Sequence, residues 1–196
     1  METYELILTR RSVRRFKPEA VPEETLRRMV NAARLAPSAG NLQPLRYLVV
    51  TSPDLRARVF EALKWAAYIT PAGDPPPGHE PAAYVIVLAD ERVRSRQYQY
   101  DAGLAAGNLL LAGLAEGVAG CVLLSFNRRR LRETFALAEH LRPVLVSALG
   151  YPDEAPVSVD RADTVRYWRD ERGRHFVPKR PLDQVMSFNM SDRSWE

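Results

Sequence analysis

Between Asp101 and Glu116 the chain is apolar on nearly every face of a helix. A surface helix keeps a polar face, so one that lacks it has to be enclosed. Residues 104–115 are interrupted by Gly107 and Asn108, and the stretch is far short of the ~20 residues a membrane span needs. The enclosure must come from the fold itself, and this helix is expected at its centre. The other strong patterns agree. Short runs of aromatic and β-branched residues (45–51, 82–89, 118–124 and 144–149) read as strands. Helices are expected at 3–9, at 22–36 with Leu26, Met29, Val30 and Ala33 on one face, from Ser52-Pro53 with Leu55, Val59, Ala62 and Ala66 as its stripe, and at 128–138 behind an Asn127 cap. One sheet with helices on its faces follows.

At 196 residues, with about 150 residues per domain as a guide, a single domain is expected. Hydrophobic residues are 46% and charged residues 27%, which argues against wholesale disorder. The net charge of +4 suits an anionic small molecule as well as a nucleic acid. The single cysteine, Cys121, excludes an internal disulfide framework and fits a reducing compartment. It sits in an apolar strand with no basic neighbour, so an inert thiol is expected. No charged-then-apolar leader follows the acidic start Met1-Glu2-Thr3-Tyr4-Glu5, so a cytoplasmic protein is expected, with no membrane partner. Residues 70–81 are rich in proline and glycine and read as a loop or lid. Beyond Tyr151-Pro152 the chain is polar and reads as irregular.

Much familiar chemistry is missing. There is no phosphate loop of the G-x-x-x-x-G-K type and no dinucleotide fingerprint. Gly103 and Gly107 stand four apart inside a helix and read as close helix packing. His79, His140 and His175 have no zinc-like spacing. Ser147 lacks the glycines of a nucleophile elbow. A bound cofactor is the expected source of any chemistry.

Three segments point to what it binds. Arg10-Arg11-Ser12-Val13-Arg14-Arg15-Phe16-Lys17 packs four arginines, a lysine and a hydroxyl into eight residues. Arginine forks match phosphate oxygens. If extended, the segment points Ser12, Arg14 and Phe16 one way and Val13 and Arg15 the other. Read alone, the segment is equally a solvated basic stretch or a nucleic-acid contact. Pro37-Ser38-Ala39-Gly40-Asn41-Leu42-Gln43-Pro44 supplies amides suited to a heteroaromatic edge and a glycine that permits close approach, or is an ordinary connector. Lys179-Arg180-Pro181-Leu182 is a second basic cluster, or a charged tail.

Together these segments resemble the nitroreductase family of FMN-dependent oxidoreductases, over nearly the whole chain. Arg10-Arg11-Ser12-x-Arg14-x-Phe16 resembles its phosphate motif, and Pro37-Ser38-x-x-Asn41-x-Gln43-Pro44 its flavin-contacting loop. Asp101-Ala102-Gly103 with Asn108-Leu109-Leu110 resembles its central helix, Ala148-Leu149-Gly150-Tyr151-Pro152 its late strand, and Lys179-Arg180-Pro181-Leu182 its C-terminal motif. The resemblance implies an α+β sandwich around a mainly antiparallel sheet, one domain over 1–196, in an intertwined homodimer. Residues from about 153 to 196 would then wrap the partner subunit, and the 101–116 helix would lie at the dimer interface. It implies FMN, with Arg10, Arg11, Ser12 and Arg14 at the phosphate and ribityl chain, and Lys179 or Arg180 also reaching the phosphate. Pro37, Ser38, Ala39, Asn41 and Gln43 would contact flavin from the partner subunit, and N–H groups of Leu124 or Ser125 would face flavin N5. NADH or NADPH would donate electrons, and a nitroaromatic, quinone or similar small molecule would accept them, with no catalytic side chain and no metal required.

The sequence departs from the family pattern at Leu45, where tryptophan is frequent, and at Leu124 and Ser125, where an acidic residue and a glycine are frequent. Relatives of this fold also carry out dehalogenation, flavin fragmentation and heterocycle oxidation, and a flavin-binding role without turnover is a further alternative. Nucleic-acid binding through residues 10–17 and 128–132 has basic clustering as its only support, so no nucleic-acid partner is expected.

Overall fold

The computed structural model describes residues 2–69, 73–93 and 95–189. They form two compact units, residues 1–154 and 155–196. In the first, α1 (Thr3–Thr9), α2 (Glu23–Arg34), β1 (Leu45–Val50), α3 (Pro53–Ala62), β2 (Ala83–Asp90), α4 (Tyr98–Ala115), β3 (Ala119–Leu123), α5 (Arg128–Thr134) and β4 (Leu141–Gly150) follow in that order, with short 3-10 turns between some of them. The four strands make one antiparallel sheet in the order β1-β2-β4-β3.

All eight residues of β2 are buried, because both of its faces are covered. Side chains alternate across a strand. Val85 and Val87 join Leu145 and Leu149 against Leu26, Met29 and Leu109 of α2 and α4. Tyr84, Ile86 and Leu88 join Val146 and Ala148 against Val59 and Leu131 of α3 and α5. The result is an α+β sandwich, a sheet between two helical layers. Among the described residues no helix is long and apolar enough to cross a membrane.

The close approach of α2 and α4 sits at Gly113, where an added Cβ would lie 2.5 Å from Met29 Cε. It does not sit at Gly103 and Gly107, where an added Cβ would meet nothing within 4 Å. The packing role expected of that pair within the chain is thus corrected: those glycines face open space. α4 begins a turn earlier than its apolar run. It stops in a Schellman arrangement, with Gly117 at φ +79 donating its N–H to the Leu114 carbonyl and Val118 donating to Gly113. Asn127 caps α5 as expected, its side chain accepting from Arg130 N–H at 3.0 Å. α5 ends at Thr134 and not at 138, because Ala136 takes a left-handed φ of +45 that no helix continues through. α3 ends at Ala62, so Ala66 is buried from a position beyond the helix.

β3 lies at the edge of the sheet, and the N-terminal basic segment covers it. Ser12 bridges Gly120, Val13 N–H donates to the Gly120 carbonyl at 3.1 Å, and Phe16 bridges Pro152. These are isolated bridges, not a ladder, and strict alternation fails here. Val13 and Phe16, three apart, are both buried with Ala119, which corrects the expectation that they point opposite ways. Cys121 is fully buried, and burial pushes its thiol up to about 12, as suits an inert group.

The stretch expected as a loop or lid includes residues 70–72, which lie outside the described residues. From Gly73 onward it is a run of tight turns. Its His79 carbonyl accepts Phe16 N–H at 3.1 Å, and His79 Nδ1 lies 2.8 Å from Asp153 Oδ2. At the end of β2, the buried Asp90 carboxylate takes both forks of Arg92 at 2.9 and 2.7 Å, with Arg46 at 3.4 Å. Those hydrogen bonds hold its pKa well below the usual carboxylate range.

The second unit corrects the expectation of an irregular tail. It holds β5 (Val157–Asp160), β6 (Trp168–Arg169) and β7 (His175–Lys179), ordered β5-β7-β6, with β5 parallel and β6 antiparallel to β7. Trp168 stacks on Phe176 with ring centroids 5.3 Å apart. The β6–β7 turn is held by Asp170, whose Oδ1 accepts from Arg172 and Arg174 N–H. Strands this short and flanked by charge carry too little periodicity to stand out.

Two outcomes follow. In Gly120→Ala the new Cβ would lie 2.2 Å from the Ala148 carbonyl oxygen, so a loss of about 1–3 kcal/mol is expected in urea denaturation. Asp90→Asn is expected to destabilise at neutral pH. A depressed native pKa stabilises above the ordinary carboxylate value of about 4 and is lost as pH falls toward the native one. The gap between variant and wild-type urea midpoints should therefore shrink between pH 7 and about pH 3.

Candidate functional site

A cleft of about 680 Å³ opens between α4, the end of β3 and the start of β4, and it lies in the usual size range of ligand pockets. Arg10 and Ser12 line it, followed by Gly103 and Gly107 of α4, then Val122 and Leu124. The glycine pair leaves a helix face without side chains, so a flat group can approach the backbone there. Arg128 and Arg142 add two more cations, and no carboxylate is among the lining residues.

Arg10 is the group whose physics is most telling. It is half-buried beside Arg11, and burial, then the charge of Arg11, lower its pKa from the ordinary value. An arginine stays charged even so. It makes no ion pair with a carboxylate among the described residues, which leaves a partly desolvated cation facing the cleft. Such a cation stabilises a bound anion.

Of the residues expected to bind a cofactor, this chain brings Arg10, Ser12 and Leu124 together in the cleft. Arg11 instead donates its Nη1 to the Arg10 carbonyl at 2.7 Å. Arg14 donates its backbone N–H to Glu154 Oε1 at 2.6 Å. Neither lines the cleft. Ser125 lies just beyond Leu124, and that segment is clamped from behind. Its carbonyl accepts Lys64 N–H at 3.0 Å, Leu63 bridges Phe126, and Asn127 N–H donates to the Ala62 carbonyl at 2.8 Å. Leu124 is 66% exposed, as a residue that covers a ligand needs to be.

Pro37, Ser38 and Gln43 line a different, smaller cavity of about 110 Å³ beside other residues of α4's first turns, Asp101 and Ala105. Within one chain, then, the amide loop of Ala39 and Asn41 does not reach the cleft. Lys179 and Arg180 belong to the second unit and are both exposed, Lys179 ending β7.

Sequence reasoning missed Arg128, Arg142 and the open glycine face. Arg128 was visible only as one of a basic run, and Arg142 gave no signal. The structure sorts that run. Arg130 pairs with Glu61, Arg132 donates to the Leu141 carbonyl at 2.7 Å, and Arg129 lies 3.6 Å from Glu133. Arg128 instead stacks over the Phe126 ring at 5.0 Å and lines the cleft.

Known proteins are similar to this chain in sequence and fold. An NADH dehydrogenase of Thermus thermophilus is 31% identical over 184 residues, the match covering 75% of this chain and 85% of that protein. An iodotyrosine deiodinase of Haliscomenobacter hydrossis is 29% identical over 184 residues, covering 81% and 83%. A crystal structure of oxidised iodotyrosine deiodinase bound to FMN and 3-iodo-L-tyrosine superposes with a TM-score of 0.68 at 24% identity, covering 84% of this chain and 97% of that one. The Nitroreductase family model matches residues 7–151, close to the full extent of the sheet-bearing unit, and the chain belongs to the nitroreductase family.

Proposed function

We propose that this chain is an FMN-dependent oxidoreductase that takes electrons from NADH or NADPH and passes them to a small oxidised acceptor. The observation that carries the proposal is the half-buried Arg10, without a carboxylate partner among the described residues, beside Ser12 in a cleft with no carboxylate among its lining residues. That pairing suits a phosphate monoester, whose charge Arg10 offsets and whose oxygens accept from Ser12. The rest of the cleft suits a flat ring. Gly103 and Gly107 leave space, and Ala106, Leu110, Val122 and Leu124 offer apolar contact.

When bound, FMN would supply the hydride- and electron-transfer chemistry between a nicotinamide and the acceptor. The protein's part is position and field. Arg10 and Ser12 would hold the phosphate end; Arg11 and Arg14, which follow in the same segment but line no part of the cleft, would add positive charge around it. Leu124 and Ser125 follow the last pair of the β3 ladder, Leu123 with Val146. Their N–H groups are the donors assigned to the flavin N5 edge, and the clamp at residues 62–64 fixes their direction. Arg128 and Arg142 keep the cleft positive, which favours anionic ligands and an anionic reduced ring.

The active form in this reading is a homodimer. Pro37, Ser38, Ala39, Asn41 and Gln43 line no part of their own chain's cleft, so a second copy brings them to the flavin. The exposed apolar residues Tyr4, Ile7 and Leu8 of α1 and Leu104 of α4 give that copy a surface to cover. One domain per chain, with the residues after about 153 wrapped on the partner, completes the picture.

The relatives' names divide between NAD(P)H oxidation and deiodination, which supports flavin redox chemistry and makes dehalogenation the second reading. Visible absorption of the purified protein tests the first half. A yellow protein that bleaches anaerobically with NADH or NADPH is expected, and a colourless one that takes up no added FMN would overturn the reading. Steady NAD(P)H consumption with a quinone or nitroarene supports reductase turnover. Loss of halide from a halophenol, with no such consumption, would favour dehalogenation. Arg10→Ala is expected to weaken FMN binding about 10- to 100-fold, the worth of a charged hydrogen bond. Unchanged affinity and flavin potential in that variant would remove Arg10 from the site.

A further inference from the structure

Asp101 is a buried carboxylate that nothing in the proposed chemistry uses. It lies in the first turn of α4 and is 2% exposed. Its Oδ1 accepts Ala39 N–H at 3.0 Å, and its Oδ2 has no hydrogen-bond partner among the described residues. A buried charge is costly unless something holds it in place. Here the start of a helix favours negative charge, and two guanidiniums, Arg34 and Arg46, line the same small cavity.

The group that Asp101 grips is the entry to the amide loop. Ala39 opens the single 3-10 turn Ala39–Asn41. Gly40, Asn41 and Gln43 follow with φ of +58, +53 and +50. Two of these are not glycine, and left-handed backbone is unfavourable for them, so the loop keeps this shape only if its surroundings enforce it. Inside the loop, Ser38 Oγ accepts Gln43 N–H at 3.1 Å, and the Ser38 carbonyl accepts Asn41 N–H at 2.9 Å. These bonds shape the loop but do not attach it. Among the described residues its side-chain attachments are Asp101, from the central helix, and Arg46 Nη1, which reaches the Gln43 carbonyl at 3.3 Å, while at its far end the Pro44 carbonyl accepts Asp90 N–H at 2.8 Å.

We propose that Asp101 is a positioning residue for cofactor binding. Through Ala39 N–H it ties the strained loop to the rigid central helix, so that Ser38, Asn41 and Gln43 meet the flavin already in shape. It touches no flavin itself. The proposal rests on the FMN reading above, because the loop is taken to contact flavin.

The test uses hydrogen exchange at the Ala39 amide in the FMN-free protein, together with FMN titration. It compares wild type, Asp101→Asn, Asp101→Ala and Asp101→Leu, each first checked for folding by circular dichroism. The leucine variant fills the site where alanine leaves a hole, so a folded variant without an acceptor is available. In the Ala and Leu variants, exchange at Ala39 is expected to rise and FMN affinity to fall, each by roughly tenfold or more. Asparagine keeps an acceptor oxygen, so Asp101→Asn is expected to stay within about threefold of wild type on both readouts. A residue that merely stabilised the fold would not single out Ala39 or be rescued by asparagine. Wild-type exchange and FMN affinity in a folded Ala or Leu variant would overturn the proposal, as would an Asn variant as impaired as Ala. If the wild type binds no FMN, the flavin reading fails and the proposal with it. If the wild type binds FMN and the variants are unchanged, only the proposal fails.

Discussion

The hydrogen bond from Val13 N–H to the Gly120 carbonyl is the contact on which the site depends. Without it β3 is a bare sheet edge, a row of unpaired backbone groups that invites association. With it, residues 12–16 cover that edge, and Val13 and Phe16 seal against Ala119. The same contact sets Arg10 and Ser12 at the mouth of the cleft. One device therefore protects an edge and places a cation. The absence of a side chain at Gly120 also lets β3 pair closely with β4, since a Cβ there would strike the Ala148 carbonyl.

The cleft is built from what its neighbours leave out. α4 packs tightly on α2 at Gly113, against Met29, but about two and three turns earlier Gly107 and Gly103 look onto nothing. One helix thus serves as a core element at its C-terminal end and as a ligand wall in its first half. Its low polarity, which reads from the sequence as burial in the core, answers both demands. Leu104 and Tyr100 on that helix are half or more exposed, so part of the apolar surface is not enclosed by this chain at all.

Most of the sheet-bearing unit was legible because its elements are long and strongly patterned. The α2 stripe of Leu26, Met29 and Ala33, the hydrophobic run of β2 up to Ala89 and the Asn127 cap each carry a local signal that the structure repeats. What was not legible depends on contacts distant in sequence. Arg142 joins the cleft only because β4 starts beside the end of β3, and no neighbour of Arg142 announces it. The small sheet of the second unit rests on Trp168 meeting Phe176 across a charged turn, a pair that carries no period. Val13 and Phe16 share a side because isolated bridges, not a ladder, fix that segment. The amide loop could be read as a ligand contact from composition, yet its attachment to Asp101, 62 residues away, could not.

A site of this composition has consequences for selectivity. No lining group of the cleft is an acid, a histidine or a cysteine, and the Cys121 thiol is buried with its pKa raised. No side chain there is poised to transfer a proton at neutral pH. Discrimination between acceptors must then come from shape and charge: the apolar cover at Leu124, the aromatic Tyr98 at the rim, and the three arginines. Leu124 and Ser125 stand where the family resemblance implies an acid and a glycine, so in the proposed reading the flavin edge would meet backbone donors beside an apolar side chain. A carboxylate at that place would oppose an anionic ring, and its replacement makes the field around the ring more uniformly positive. In the proposed reading the same change would favour anionic acceptors, since an anion gains most from a desolvated cation such as Arg10.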